Sequence, residues 1–275
     1  MDVHRPRIAH LRSLLRTLGR LVLSAAEPGY YQGDAAKSSR RRRGGTAHLA
    51  NTRAHPSNLD TGTVRSPDTT VHHPLFARVY SRFVAAREGP ELRERRERLL
   101  DGLSGRVLEV GAGTGVTFPL YPSTVSQVVA LEPEAHLRRI AEQEAKSAPV
   151  FAVVRDGLAQ RLPEPDASVD AVVVSLVLCS VPDQQAALAE IRRVLRPGGE
   201  LRFFEHVLSR NRTGAAVQRG LQATIWPRVA GGCHPARDTG RAIEQAGFAI
   251  AWCDRLRAAP KQPPFPFILG RAIRS

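Results

Sequence analysis

Between Arg106 and Gly270 the chain alternates between two hydrophobic rhythms. Short apolar runs rich in Val, Ile and Leu fall at Arg106–Val110, Gln127–Glu132, Val150–Val154, Val169–Ser175, Glu200–Glu205, Phe248–Cys253 and Phe265–Gly270, with the length and composition of buried strands. Between them, Glu134–Lys146, Gln184–Leu195 and Asp238–Ala246 space their apolar residues by three and four, as helices with one buried face do. Apolar strands interleaved with amphipathic helices predict an α/β fold with a doubly wound, mostly parallel seven-stranded sheet covered on both faces. In such a sheet a ligand lies at the carboxyl ends of the strands, beside the point where the strand order reverses.

Two helices are expected to lead into the first strand. Leu75, Phe76, Val79, Tyr80 and Phe83 have helical spacing in "HPLFARVYSRF" (His73 to Phe83), and the charged run "ELRERRERLL" continues as the second. Residues 71–275 therefore read as one domain. In residues 1–27 the stripe Ile8, Leu11, Leu15, Leu18 and Val22, with Arg12, Arg16 and Arg20 among the other positions, predicts a basic amphipathic helix. Such a helix, over residues 5–25, can lie on an anionic membrane surface or pack on the domain. Residues 28–70, which include "SSRRRRGG" at Ser38 to Gly45, have no periodicity and read as a disordered linker.

Charge changes this picture little. The chain carries net +14, but 12 Arg or Lys against 5 Asp or Glu fall within residues 1–70. Only Lys37, Lys146 and Lys261 are lysines, so the basic excess is nearly all arginine, as a codon bias alone would give. A nucleic-acid partner is disfavoured on both grounds, although phosphate neutralisation is the usual use of a basic surface. No apolar run approaches the ~20 residues of a membrane span, and the apolar stretch around Leu21 to Ala26, with Arg12, Arg16 and Arg20 ahead of it, is too short and too rich in arginine for a secretory signal. The expected location is cytoplasmic, with at most peripheral membrane contact. Cys179, Cys233 and Cys253 are odd in number and lack CxxC spacing, which supports neither a disulfide framework nor a structural zinc site. No cluster along the chain has metal-ligand spacing, and no metal is expected.

The candidate chemistry gathers at "LEVGAGTGV", Leu108 to Val116, directly behind the first strand. Glycines at a strand-to-helix turn permit close approach of a ligand to the backbone. A dinucleotide fingerprint would place its third glycine at position 116, where the chain has Val116, and a phosphate-binding loop would need Lys then Ser or Thr after the glycines. Neither pattern is met. A nucleoside ligand without phosphates remains, and two acids suit one: Glu109, before the glycines, an ammonium group, and Glu132, at the end of the second strand, both ribose hydroxyls.

With "ALEPE" at Ala130 to Glu134, Leu162–Pro163 followed by "DASVDAVVVS", and "VLRPGGEL" at Val194 to Leu201, the chain resembles the class I S-adenosylmethionine-dependent methyltransferases over residues 106 to about 272. The sheet this implies is Rossmann-like. "LVLCSV", "FFEHV", "RDT" and "PFILGRA" narrow the resemblance to the thiol S-methyltransferases of the methyltransferase-like group, which are membrane-associated in animals. The resemblance implies S-adenosyl-L-methionine as cofactor, with Gly111 and Gly113 against its methionine part, Glu109 on its amino group, Glu132 on the ribose and Pro133 shaping the pocket floor. Many relatives have an acid before an alanine at the adenine. Here "RDGLAQ" has Leu158 in that place and Asp156 two residues earlier, so the expected contacts are the Ala159 backbone and the Leu158 side chain. Ser175 and Leu176 should face the transferred methyl group.

His206 follows Glu205 near a strand end, either as a base for the acceptor or as a satisfied core histidine. Cys179 reads as a small buried hydrophobe, and His234 either as a base of this kind or as part of a mobile lid. The segment Thr213–Arg237, with Trp226 and Pro227, should cover a small-molecule acceptor. An alkyl thiol or sulfide is the acceptor the resemblance favours. The carbon, oxygen or nitrogen of a lipid or quinone is the alternative, and a non-catalytic nucleic-acid-binding role the remote one.

Overall fold

The computed structural model describes residues 89–224, 226–258 and 264–275. The amphipathic helix expected in residues 1–27, the linker at 28–70 and the helix at His73–Phe83 lie outside the described residues. The described chain opens with α1 (Pro90–Leu100), the helix expected from the charged run. It continues through β1 (Gly105–Val110), β2 (Val125–Leu131), α2 (Ala135–Ala145), β3 (Ala152–Arg155), β4 (Val169–Ser175), α3 (Gln184–Val194) and β5 (Leu195–His206). Helices α4 (Arg212–Ala223), α5 (Trp226–Val229) and α6 (Thr239–Gln245) precede the final strands β6 (Phe248–Leu256) and β7 (Phe267–Arg274).

The seven strands form one sheet in the order β3-β2-β1-β4-β5-β7-β6. Only β7 runs antiparallel to its neighbours, β5 and β6. Because side chains alternate across a strand, the Val-rich runs feed two cores. Leu108, Val110, Val129, Leu131, Val172 and Val174 pack on one face with Leu188 and Ile191 of α3. Val107, Val128, Ala130, Ala171 and Val173 pack on the other with Leu99 of α1 and Ala141 of α2. A slip of one residue would exchange the two faces, and each fully buried Val or Leu contributes about 1.5–3 kcal/mol, so the register is strongly specified.

The helix starts follow from their caps. Glu134 accepts from the backbone N–H groups of His136 and Leu137 ahead of α2, and Asp183 from Ala186 ahead of α3. The first strand ends one residue before the glycine turn, at the place where the order reverses between β1 and β4. That is where a doubly wound sheet opens a crevice.

Three differences from the sequence expectation have physical reasons. Strand β5 begins at Leu195, not Glu200, because Leu195 pairs with Val169 before the "RPGG" stretch. Strand β7 runs to Arg274 because its antiparallel pairing continues through Ile273 beside Glu200 and Arg274 beside Phe248. Helix α4 stands in the segment expected only to be a cover. Its buried face is Gly214, Ala215 and Gln218, which present no apolar stripe to read.

Candidate active site

The carboxyl ends of β1 and β4 frame a cavity lined by Arg96, Glu109, Gly111, Gly113, Ser175 and Leu176. Five of these six are residues expected from the sequence; Arg96 is not. Glu109 is the fifth residue of β1 and is buried. Its carboxylate accepts from the Thr117 hydroxyl at 2.7 and 2.9 Å and from the Tyr121 hydroxyl at 2.9 Å. Burial raises the Glu109 carboxyl to about 7, against the pull of those two hydroxyls and of the Arg96 charge.

Gly113 sits with φ +59°, and a Cβ there would meet nothing within 4 Å. Its backbone is therefore bare toward open space, in a conformation that side chains disfavour. The Gly113 N–H donates to Glu132 at 2.8 Å, and the Glu134 N–H donates to the other Glu132 oxygen at 3.0 Å. Glu132 lies one residue past β2 and is 6% exposed. Burial raises it, too, to about 7, opposed by the two backbone donors. Each carboxylate oxygen offers more than one acceptor site, so both acids keep capacity for a ligand. A cationic ligand carrying hydroxyls fits this pair, because it would stabilise two carboxylates that burial disfavours.

The remaining expected cofactor contacts line the same end of the sheet. Pro133 follows Glu132, and both carbonyls accept from Arg138, at 3.1 and 2.7 Å. Asp156 is paired with Arg138 at 3.3 Å and its side chain is largely exposed. Leu158 is half-buried and bridges to Arg161, while Ala159 is buried. Leu176 has φ +62°, a left-handed conformation rare for a side-chain-bearing residue, at the point where β4 gives way to its loop.

That loop is held by a residue to which the sequence reading assigned no role. Glu205, fully buried in β5, accepts from the backbone N–H groups of Val177 and Leu178 at 2.9 Å and of Cys179 at 3.0 Å. Burial raises its carboxyl even against three backbone donors. The signal was present: Glu205 stands within the apolar run "LRFFEHV", and an acid buried in an apolar strand is costly unless it has a partner.

Beyond Glu205 the structure gathers three residues that the sequence keeps apart. Cys179 Sγ and Cys233 Sγ lie 3.9 Å from each other, and His206 Nδ1 lies 3.9 Å from the first and 3.7 Å from the second. All three are buried. The hydrogen bond between the two thiols pushes Cys179 up and Cys233 down, with burial adding to the first shift and His206 to the second. His206 is the last residue of β5, not one beyond it, and packs on Phe267 with ring centroids 4.4 Å apart. The absence of metal-ligand spacing along the chain thus gives way, in space, to a Cys179–His206–Cys233 cluster. Among the described residues no helix is long and apolar enough to cross a membrane.

A protein family described as a methyltransferase domain matches residues 108–203. The thiol S-methyltransferase TMT1B of Homo sapiens is 36% identical over 183 residues, covering 64% of this chain and 74% of the relative. The demethylmenaquinone methyltransferase of Mycobacterium tuberculosis is 35% identical over 181 residues, covering 66% and 70%. Among solved structures, an S-adenosylmethionine-dependent methyltransferase from Thermotoga maritima superposes with a TM-score of 0.54 at 22% identity, over 73% of this chain and 97% of that one. The glycine turn, the two buried acids and these likenesses agree: the chain belongs to the class I S-adenosylmethionine-dependent methyltransferases and stands close to their thiol S-methyltransferase group.

Proposed function

We propose that the methyl acceptor is a small thiol or sulfide. The observation that carries this is the 36% identity to thiol S-methyltransferase TMT1B over 183 residues, a stretch too long to lie within the family match at residues 108–203. It therefore includes residues outside 108–203. The location that goes with this reading is cytoplasmic, with peripheral membrane contact through residues 5–25.

When bound, S-adenosylmethionine supplies a methyl carbon made electrophilic by its sulfonium. The chain's own residues bind, orient and exclude water. Glu132 would accept from the ribose hydroxyls, and Glu109, already ordered by Thr117 and Tyr121, would offer its charge to the amino group. Gly111 and Gly113 would let the methionine part lie against the backbone, with Pro133 at the pocket floor and Leu158 and Ala159 toward the adenine. Ser175 and Leu176 would face the methyl group, where an acceptor must be held in line at about 3–3.5 Å. The reactive form of a thiol is the thiolate, and with a pKa of about 8.5 or above it needs help at neutral pH. His206 is the candidate for that help, but it acts from within a sulfur-lined cluster and not as a lone base, because its Nδ1 faces two cysteines.

A second reading is favoured by the demethylmenaquinone methyltransferase relative: transfer to a quinone or lipid. The test is to incubate the full chain with methyl-labelled cofactor and a panel of alkyl thiols, aryl thiols, phenols, reduced quinones and phospholipid amines. Label transferred to alkyl thiols is the expected result. Label on a quinone or lipid with none on any thiol would overturn the acceptor assignment and leave the methyltransferase assignment intact.

A further inference from the structure

The Cys179–His206–Cys233 cluster is assembled by three elements, each fixed by backbone hydrogen bonds. Cys179 stands in the loop pinned by Glu205, and Arg237 donates to the Leu178 carbonyl at 2.7 Å from the opposite side. His206 ends β5. Cys233 is carried by a turn in which Gly232, with φ +83°, brings its backbone against the Ser180 carbonyl, where a Cβ would stand 2.8 Å away. The His234 N–H then donates to the Cys179 carbonyl at 2.7 Å. The buried Gln218 amide fastens the far side, donating to the carbonyls of Val207 and Pro235 at 3.0 and 2.8 Å. The three donor atoms are thus preorganised.

Their triangle has sides of 3.9, 3.9 and 3.7 Å, and its centre lies about 2.2 Å from each corner, which matches zinc–sulfur and zinc–nitrogen bonds of about 2.3 and 2.0–2.1 Å. Two sulfurs and one imidazole are also the donor set that selects zinc over magnesium or calcium. We propose that Cys179, His206 through Nδ1, and Cys233 form a zinc site with three protein ligands and an open fourth position. Zinc binding releases the thiol protons to solvent, and the dication offsets two thiolates, so the buried cluster gains no net charge. Nδ1 coordination places the imidazole proton on Nε2, which is buried and has no hydrogen-bond partner among the described residues.

Three ligands with an open position are the zinc arrangement used for chemistry. The role of that position rests on the thiol-acceptor reading: the acceptor sulfur enters as a thiolate, its S–H proton leaves to solvent, and a zinc–sulfur bond forms. The bound thiolate then attacks the methyl carbon, and the cofactor's carbon–sulfur bond breaks with its electron pair kept on the cofactor sulfur. The same geometry explains why no motif betrays the site: 27 residues separate Cys179 from His206, and another 27 separate His206 from Cys233.

The test uses the full chain, reduced and stripped with a chelator, titrated with cobalt(II) as a coloured substitute for zinc. One equivalent should bind with thiolate-to-metal absorption, zinc should displace it, and adding an alkyl thiol should shift the band. Cys179→Ser and Cys233→Ser should each weaken zinc binding by at least about 100-fold, the upper end for even an outer-shell change, while Cys253→Ser leaves it unchanged. No thiolate–cobalt absorption in the reduced native chain would overturn the site. If the serine variants fail to fold, equilibrium dialysis of the reduced native chain against zinc decides: one tightly bound zinc per chain is expected, and no zinc retained above the buffer level would also overturn the site. One-to-one cobalt binding without methyl transfer to any thiol would retain the metal site and overturn the acceptor reading alone.

Discussion

The two sides of the crevice are built in opposite ways. On the cofactor side, Glu109, the glycine turn and Glu132 come from one strand–turn–strand unit spanning β1 and β2, and the hydrogen bonds that hold the two carboxylates, from Thr117, Tyr121, Gly113 and Glu134, are made within that unit. On the side proposed for the acceptor, the loop after β4, the end of β5 and the turn before α6 meet through Glu205, Arg237 and the Gly232 turn, over separations of tens of residues. A local unit can be specified by a few residues at fixed spacing. A long-range assembly is specified by buried hydrogen bonds that fix loops against one another, and damage to one of them should spread. The predictions follow from that contrast.

The largest effect is expected at Glu205. Replacing it with Ala leaves three buried backbone N–H groups without an acceptor, at about 1–3 kcal/mol each, so unfolding free energy should fall by about 3 kcal/mol or more. Urea denaturation of the variant checks this; a loss below 1 kcal/mol would mean that the loop finds other partners. Next is Glu132→Ala, which removes a charged acceptor worth about 1.5–3 kcal/mol, so cofactor affinity should drop by roughly one to two orders of magnitude. Calorimetry on the folded variant would disprove the role of Glu132 by returning the native affinity.

A pH effect of intermediate size belongs to the cofactor side alone. The folded pKa values of Glu109 and Glu132 are raised to about 7 by burial, so the proton is bound more tightly in the folded apo-protein than in the unfolded chain. Their contribution to stability is therefore full below pH 4.5 and is lost as pH rises toward 7. A cationic cofactor prefers the ionised acids, so its affinity should move the other way, rising through pH 6 to 7 and levelling above, with up to about tenfold per pH unit from each carboxyl. Affinity that is flat from pH 6 to 8 would remove both acids from cofactor contact. The smallest effect is expected at Gly232→Ala. A left-handed alanine costs about 1–2 kcal/mol, and its Cβ presses on the Ser180 carbonyl. Acceptor turnover should fall several-fold, on the order of the tenfold that 1.4 kcal/mol represents. Equal turnover in the variant and the native chain would show that this turn tolerates displacement.

The same contrast decides what could be read from the sequence. The sheet was legible because Val and Leu runs buried on both faces leave an unambiguous pattern, and Glu109 and Glu132 because acids beside a glycine turn have few structural uses. Arg96 was not, since it is one of four arginines in "ELRERRERLL" and looks like the exposed Arg93 and Arg98; only the fold turns it inward, beside Glu109. Helix α4 escaped because its buried face is Gly214, Ala215 and Gln218, although Asn211 supplies a cap that accepts from the Gly214 N–H. Cys179 read as a buried hydrophobe, and it is buried; the His206 nitrogen and the Cys233 sulfur beside it come from β5 and the Gly232 turn, which spacing along the chain does not reveal.

The most direct test of the division is one pair of assays on a Cys179→Ser, Cys233→Ser double variant: cofactor affinity by calorimetry, and turnover of an alkyl thiol with saturating cofactor. The account predicts native cofactor affinity with thiol turnover lost, because the substitutions touch only the side assembled at long range. Native turnover, or cofactor affinity lost together with turnover in a folded protein, would contradict it.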